Sequence, residues 1–260
     1  KTKLKKRYNS VMAKGDLVIA NSQWIAEHVK AEHGVPFEKV VTIPRGVDLE
    51  AFDPTAVPVA RVKAIREGLG LVDDPRMILL LPGRLTEWKG QLVAIEALAM
   101  LAPDEREKLV LVLAGDAQGR KGYVERLEQA VVAHGLDRGV IMSEHISDMP
   151  AAYLASDIVL APSVRPEAFG RVAAEASAMA KPVIVSDHGG GRETVIEGET
   201  GARVEPGNAQ SLAGAIRALL SVGPLARDGM GRAGQQHIRQ HYSKRGLQAA
   251  TLGVYKTLLE

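Results

Sequence analysis

The sequence predicts an α/β fold built on a doubly wound parallel sheet and followed by a helical tail. Three observations carry this. Short apolar runs recur along the chain, each continuous rather than alternating in polarity. A strand buried on both faces reads that way, as in a parallel sheet covered by helices. Amphipathic stretches separate the runs, and strand–helix–strand repetition with short loops implies right-handed crossovers. After about Asn208 the apolar runs stop, and the remainder reads as helix only.

Taken in order, strands are expected at Leu17–Ala20, Val40–Ile43, Met77–Leu81, Leu109–Ala114, Val140–Met142, Ile158–Leu160 and Pro182–Val185. Helices are expected at Trp24–His33, Gln91–Leu101, Tyr123–His134 and Ser211–Leu220, where apolar residues recur at helical spacing. Ser22 is placed to cap the first of these, because its hydroxyl can take an otherwise unpaired backbone N–H. A further helix is expected after Gly170, rich in small residues (Ala173, Ala174, Ala176, Ser177, Ala178, Ala180) that let it lie close to a sheet.

The chain divides unevenly. Two strands before residue 50 cannot make a stable doubly wound sheet alone. Residues 1–50 are therefore expected to be the end of a preceding domain whose beginning is absent. Residues 51–69 read as linker and helix, 70–222 as a complete domain, and 223–260 as a helical tail.

Composition narrows the function. The 260 residues are 46% hydrophobic and 25% charged, as in an ordinary globular protein, which excludes a disordered chain or a fibre. Lysine and arginine number 33 against 31 acidic residues, a net of +2, which argues against charge-driven nucleic-acid binding. Without cysteine there is no disulfide, thiol nucleophile or zinc–thiolate site. No apolar run approaches the roughly 18 residues of a membrane span. The basic Lys1–Arg7 has no apolar stretch after it to make a signal peptide. The reducing cytoplasm is the expected compartment, with contact at the inner face of a membrane as the variant that Lys1–Arg7 suggests.

In open parallel sheets, ligands bind outside the carboxyl ends of the strands, so the residues after each strand are the candidates. After Met77–Leu81 come Pro82-Gly83-Arg84 and Glu87-Trp88-Lys89-Gly90. Gly83 permits close backbone approach, and Arg84 and Lys89 are two cations that suit a diphosphate. The plainer reading is two solvated cations before a helix. After Ile158–Leu160 come Ser163 and then Arg165-Pro166-Glu167-Ala168-Phe169-Gly170-Arg171. Gly170 would lie near a helix start, where free N–H groups favour an anion. Glu175 is expected in the second turn of that helix, where a carboxylate can accept two hydrogen bonds from a vicinal diol such as ribose carries. Glu167 could receive a hydroxyl of a second sugar. The plainer reading is a helix-start glutamate and an exposed glutamate paired with Arg171. After Val185, Gly189-Gly190-Gly191 is either an anion-facing loop or a flexible turn.

Other signals lack their context. Gly229, Gly231 and Gly234 match a GxGxxG spacing, but no strand precedes them and they lie in the helical tail. There is no P-loop lysine motif, no H-E-x-x-H, no Asp-x-Asp and no G-x-S-x-G. Asp73-Asp74 sits in a turn, and His237 and His241 lie one helical turn apart without other ligands.

In sequence order, Gly15–Ser22, Ile43–Asp48, Gly83–Gly90, Leu113–Asp116, Met149–Ser163, Glu167–Glu175, Lys181–Gly190 and Gly198–Val204 resemble the nucleotide-sugar-dependent glycosyltransferases of the retaining family 4. Glu167-Ala-Phe-Gly-Arg-Val-Ala-Ala-Glu175 matches that family's E-x7-E signature. The resemblance implies the two-domain, Rossmann-like GT-B fold, this chain being largely its carboxyl-terminal, donor-binding half. It implies transfer of a sugar, with retention, from a UDP- or GDP-sugar to the hydroxyl of an acceptor, without a cofactor or metal. The acceptor would be a glycan or lipid-linked glycan of the cell envelope, such as lipopolysaccharide.

By the same resemblance, Gly83, Arg84 and Lys89 face the donor diphosphate and Glu175 holds the ribose. Glu167 stands near the sugar, Ala168, Phe169, Gly170 and Arg171 offer backbone to sugar and phosphates, and His145 and Ile146 read the base. Catalysis would rest on Arg84, Lys89 and Glu167. Three positions depart from the family: Glu144 and Ala180 stand where glycine is usual, and Arg171 where an aliphatic residue is usual. The chain alone is expected to be inactive, with any membrane contact made through the absent domain. Two alternatives remain open: a non-catalytic nucleotide-sugar-binding module, and a GT-B nucleotide-sugar epimerase.

Overall fold

The computed structural model describes residues 8–260. The expectation for Lys1–Arg7 lies outside them. All seven expected strands form, and an eighth joins them. They are β1 (Val18–Ala20), β2 (Val40–Thr42), β3 (Met77–Pro82), β4 (Leu109–Ala114), β5 (Val140–Ser143), β6 (Ile158–Ala161), β7 (Val183–Ser186) and β8 (Gly201–Val204). The eighth was missed because Gly201-Ala202-Arg203-Val204 carries a charge and no continuous apolar run. It lies at the sheet edge, where only one neighbour covers it.

The strands make two parallel sheets. Among the described residues β1 and β2 pair only with each other, and the rest form one six-stranded sheet in the order β5-β4-β3-β6-β7-β8. The strand order reverses between β3 and β6, which pair as Leu79 with Ile158 and Leu80 with Val159. A crevice opens at such a switch point, beyond the carboxyl ends of the two strands.

The helices are α1 (Gln23–His33), α2 (Val59–Gly68), α3 (Gln91–Ala99), the single turn α4 (Pro103–Arg106), α5 (Lys121–Ala133), α6 (Met149–Ala155), α7 (Arg171–Ala178), α8 (Ala209–Ser221), α9 (Gly223–His241) and α10 (Lys244–Leu259). Ser22 caps α1 as expected, its Oγ accepting from the Ile25 N–H at 3.1 Å.

Alternation along the strands builds two core layers. Leu79, Leu81, Leu111 and Leu113 face one side, against Ile95 and Leu98 of α3, Leu127 of α5 and Ile216 of α8. Ile78, Leu80, Val110 and Val112 face the other, against Tyr153 of α6 and Ala173 and Ala176 of α7. α7 is buried on its other side too, where Ala174 and Ala178 pack with Ile238 of α9 and with Phe169 and Tyr242. Its run of small residues is what lets one helix fit between a sheet and another helix.

Within the GxGxxG spacing, Gly231 and Gly234 face close neighbours, whereas Gly229 faces open space. Gly231 lies in α9 against the turn after α7, where a Cβ would stand 2.0 Å from the Ala180 carbonyl oxygen. The tail then returns to the segment after β2. The Val47 N–H donates to the Tyr242 carbonyl at 2.7 Å, and the Lys244 N–H to the Val47 carbonyl at 2.9 Å. No helix among the described residues is long and apolar enough to cross a membrane.

Candidate functional site

The loop after β3 is fixed by backbone bonds to the neighbouring strand end. Gly83 N–H donates to Ala114 O at 2.9 Å and Leu85 N–H to Asp116 O at 3.1 Å. The buried Gln91 at the start of α3 donates to the Arg84 carbonyl at 2.9 Å and accepts from the Tyr123 hydroxyl at 3.2 Å. Arg84 is thereby exposed on a backbone that does not wander. Gly90 joins this loop to the one after β6. It sits at φ +82°, and a Cβ there would stand 2.1 Å from the Pro162 carbonyl oxygen.

The segment before α7 rests on the glycine loop after β7. Gly190 N–H donates to Glu167 O at 2.8 Å. A Cβ on Gly190 would lie 2.4 Å from Ala168 O, and one on Gly170 would lie 2.5 Å from Gly191 Cα. Gly190 and Gly191 are buried and begin a 3₁₀ turn over Gly190–Thr194. The three glycines therefore form a packed loop rather than a slack turn. Their lack of side chains lets two backbones touch.

Two carboxylates result. Glu167 Oε1 accepts from the Lys89 ammonium at 2.9 Å and from the Ser163 hydroxyl. Their side chains are 14% (Lys89) and 19% (Glu167) exposed, so the charged pair is largely shielded from water. The Lys89 stem lies beside Gly83, and its ammonium stands 4.7 Å from the Trp88 ring centre, within cation–π range. Glu175 Oε1 accepts from Arg171 Nε at 3.1 Å and Nη2 at 2.7 Å. Its Oε2 accepts from the Tyr153 hydroxyl at 3.2 Å. Burial first, and then the Glu175 charge, push the Tyr153 hydroxyl well above its ordinary pKa, so it stays a donor.

A cleft of about 390 Å³ opens at the switch point. Gly83 and Arg84 form one wall, Asp116 and Gln118 after β4 another, His145 and Ile146 a third, and Tyr153 and Glu175 close it. Lys89 does not line this cleft; it stands behind Gly83, engaged with Glu167. Phe169 turns away from it, packing 5.9 Å from the Tyr242 ring. Glu175 also borders a second hollow of about 320 Å³, shared with Arg45, Phe169, Arg171 and Lys244. Glu167 and Gly170 border a much smaller one beside His188, whose Nε2 lies 2.7 Å from the Ser163 carbonyl.

The structure thus brings Gly83, Arg84, His145, Ile146 and Glu175 around one cleft, and Lys89 and Glu167 to each other beside it. Sequence reasoning missed Tyr153 and Gln118, and named Ser163 and Asp116 without giving them a role. Asp116 and Ser163 follow strand ends, which was the available signal. Nothing in the sequence marks Tyr153, whose partner lies on another helix. Among the described residues no group of three or more His, Cys, Asp or Glu could hold a metal ion. His237 and His241 stand with ring centres 5.0 Å apart and pack against Tyr242.

The sequence profile described as Glycosyl transferases group 1 matches residues 62–237, well over half of the chain. The profile described as Glycosyltransferase Family 4 matches residues 1–51. D-inositol 3-phosphate glycosyltransferase from Xylanimonas cellulosilytica is 34% identical over 215 residues, covering 81% of this chain and 50% of that protein. The chain therefore spans about half the length of this relative. A glycosyltransferase structure from Rickettsia africae superposes with a TM-score of 0.89 at 30% identity, covering 100% of this chain and 68% of that one. HepE from Anabaena, solved in complex with UDP and glucose, superposes with a TM-score of 0.88 at 26% identity, over 99% of this chain and 68% of that one.

Proposed function

The chain belongs to the glycosyl transferases group 1 family, and we propose that it is the donor-binding part of a retaining glycosyltransferase. In this reading residues 70–222 bind a UDP- or GDP-sugar. Residues 1–50 belong with an acceptor-binding domain, 51–69 link the two, and 223–260 are a helical tail that ties back to the first part. The observation that carries the reading is the single cleft at the β3/β6 switch point, shared by Arg84, Glu175, His145 and Ile146. In this reading Arg84 meets the phosphates, Glu175 the ribose diol, and His145 and Ile146 the base. HepE, at 26% identity, was solved with UDP and glucose, which supports a UDP-sugar as the donor.

The reaction breaks the bond between the anomeric carbon and the diphosphate and makes one to an acceptor hydroxyl. Charge grows on the departing diphosphate. Arg84 and the start of α7 favour that charge more in the transition state than in the ground state, and Lys89, paired with Glu167 beside the cleft, adds its charge from behind Gly83. Fixed cations of this kind can take the place of a divalent metal. Glu167, held by Lys89 and Ser163, stands beside the place where the sugar would lie. Ala168 to Arg171 contribute backbone there, and Glu175 takes the ribose. The acceptor is read as a glycan or lipid-linked glycan of the cell envelope, reached at the inner face of a membrane.

A donor screen by thermal shift tests the binding step. UDP or GDP at a hundred times its dissociation constant should stabilise the chain by about 2.7 kcal/mol. Arg84→Ala should weaken that binding. Absence of a shift with both nucleotides contradicts the reading. A product assay with and without acceptor then separates a transferase from a binding module and from an epimerase, which needs no acceptor.

A further inference from the structure

An ionised carboxylate offers about four acceptor positions on its two oxygens. On Glu175, Arg171 takes two positions on Oε1 with a two-pronged contact, at 3.1 and 2.7 Å. Tyr153 takes one on Oε2 at 3.2 Å. One position is left, and a vicinal diol that donates both hydroxyls needs two. The Tyr153 bond is the one that stays, because Tyr153 is fully buried and an unmatched buried hydroxyl is costly. Arg171 is the partner that can leave. Its side chain is 68% exposed, against 12% for Glu175.

Helix stability does not explain the Arg171–Glu175 pair. A cation in the first turn opposes the helix dipole, and arginine four residues before glutamate is the weaker orientation. The hollow that Arg171 borders also holds Arg45, and Lys244 paired with Asp48 at 2.8 Å, so three cations stand there against Asp48 and Glu175. That suits an anionic group next to a diol.

We propose that Arg171 changes partners when a nucleoside diphosphate binds: its guanidinium gives up Glu175 Oε1 to the ribose diol and pairs with a phosphate oxygen. The proposal rests on the reading of Glu175 as the ribose-binding carboxylate, and makes Arg171 a donor-binding residue through its side chain.

The test measures UDP affinity by calorimetry on the wild-type chain, Arg171→Leu and Arg171→Lys, and uridine affinity by ligand-detected NMR. Arg171→Leu should weaken UDP about tenfold or more, the usual scale for losing a charge-assisted bond. It should also flatten the salt dependence of UDP binding, while uridine binds at least as well as to wild type. Arg171→Lys should fall between. Unchanged UDP affinity, or equal weakening of UDP and uridine, overturns the partner exchange and leaves the ribose reading standing. If wild type binds neither UDP nor GDP, the ribose reading fails and the exchange fails with it.

Discussion

Glu167 and Glu175 flank the start of one helix, yet they are held in opposite ways. Glu167 is gripped from a distance in sequence, by Lys89 from the loop after β3 and Ser163 from the loop after β6. It stitches together two loops across the switch point. Glu175 is held by Arg171 of its own helix and by Tyr153, which is packed in the core. The first carboxylate follows wherever the loops go, whereas the second is fixed by the core on one oxygen and by an exposed cation on the other. A segment only a few residues long thus presents one carboxylate tied to the loops and one anchored to the interior.

The largest effect should come from breaking the shielded pair. In a double-mutant cycle, Lys89→Ala and Glu167→Ala should show a coupling of about 2 kcal/mol, since hydrogen bonds between charged groups shielded from water are the strong ones. The same cycle with Arg171→Leu and Glu175→Ala should give about 0.5 kcal/mol or less, the scale of a pair within one helix whose cation is exposed. Equal couplings in chemical denaturation would erase the contrast.

Next in size is the core side of Glu175. Tyr153→Phe removes the buried donor, and should cost about 1 kcal/mol by denaturant titration. Glu175→Ala should lose less in the Tyr153→Phe background than alone, because no hydroxyl is then stranded. Simple additivity would mean that the buried bond does not hold Glu175.

The smallest effect lies at the far end of the same helix. Ala180 sits at φ +56°, a left-handed conformation that costs a residue with a Cβ. Ala180→Gly should raise stability by roughly half a kcal/mol, the strain relieved being partly offset by glycine's freedom in the unfolded chain. A loss of stability there would show that Ala180 makes contacts worth more than its strain.

Five of the six strands of the larger sheet were legible because each holds a continuous apolar run. β8 was not, since Gly201-Ala202-Arg203-Val204 holds no such run and its edge position does not demand one. The rule that ligands meet strand ends led to Gly83, Arg84 and Glu175, which share the cleft. It said nothing of how they are held. Tyr153 reads as one more aromatic in a helix until its hydroxyl is seen on Glu175. Gly189-Gly190-Gly191 suggested a ligand loop because exposed N–H groups and backbone-to-backbone packing leave the same mark in a sequence. Only the neighbours decide between them. Ala180 reads as helix interior, and its positive φ arises from the turn that α9 presses against.

The most direct test is a crystal structure of the chain with UDP. The diphosphate should lie between Gly83–Arg84 and the start of the helix at Arg171, with the ribose hydroxyls on Glu175 and the base beside His145 and Ile146. UDP seated instead in the 570 Å³ hollow between Val47 and Lys244, with the cleft at β3 and β6 empty, would contradict it.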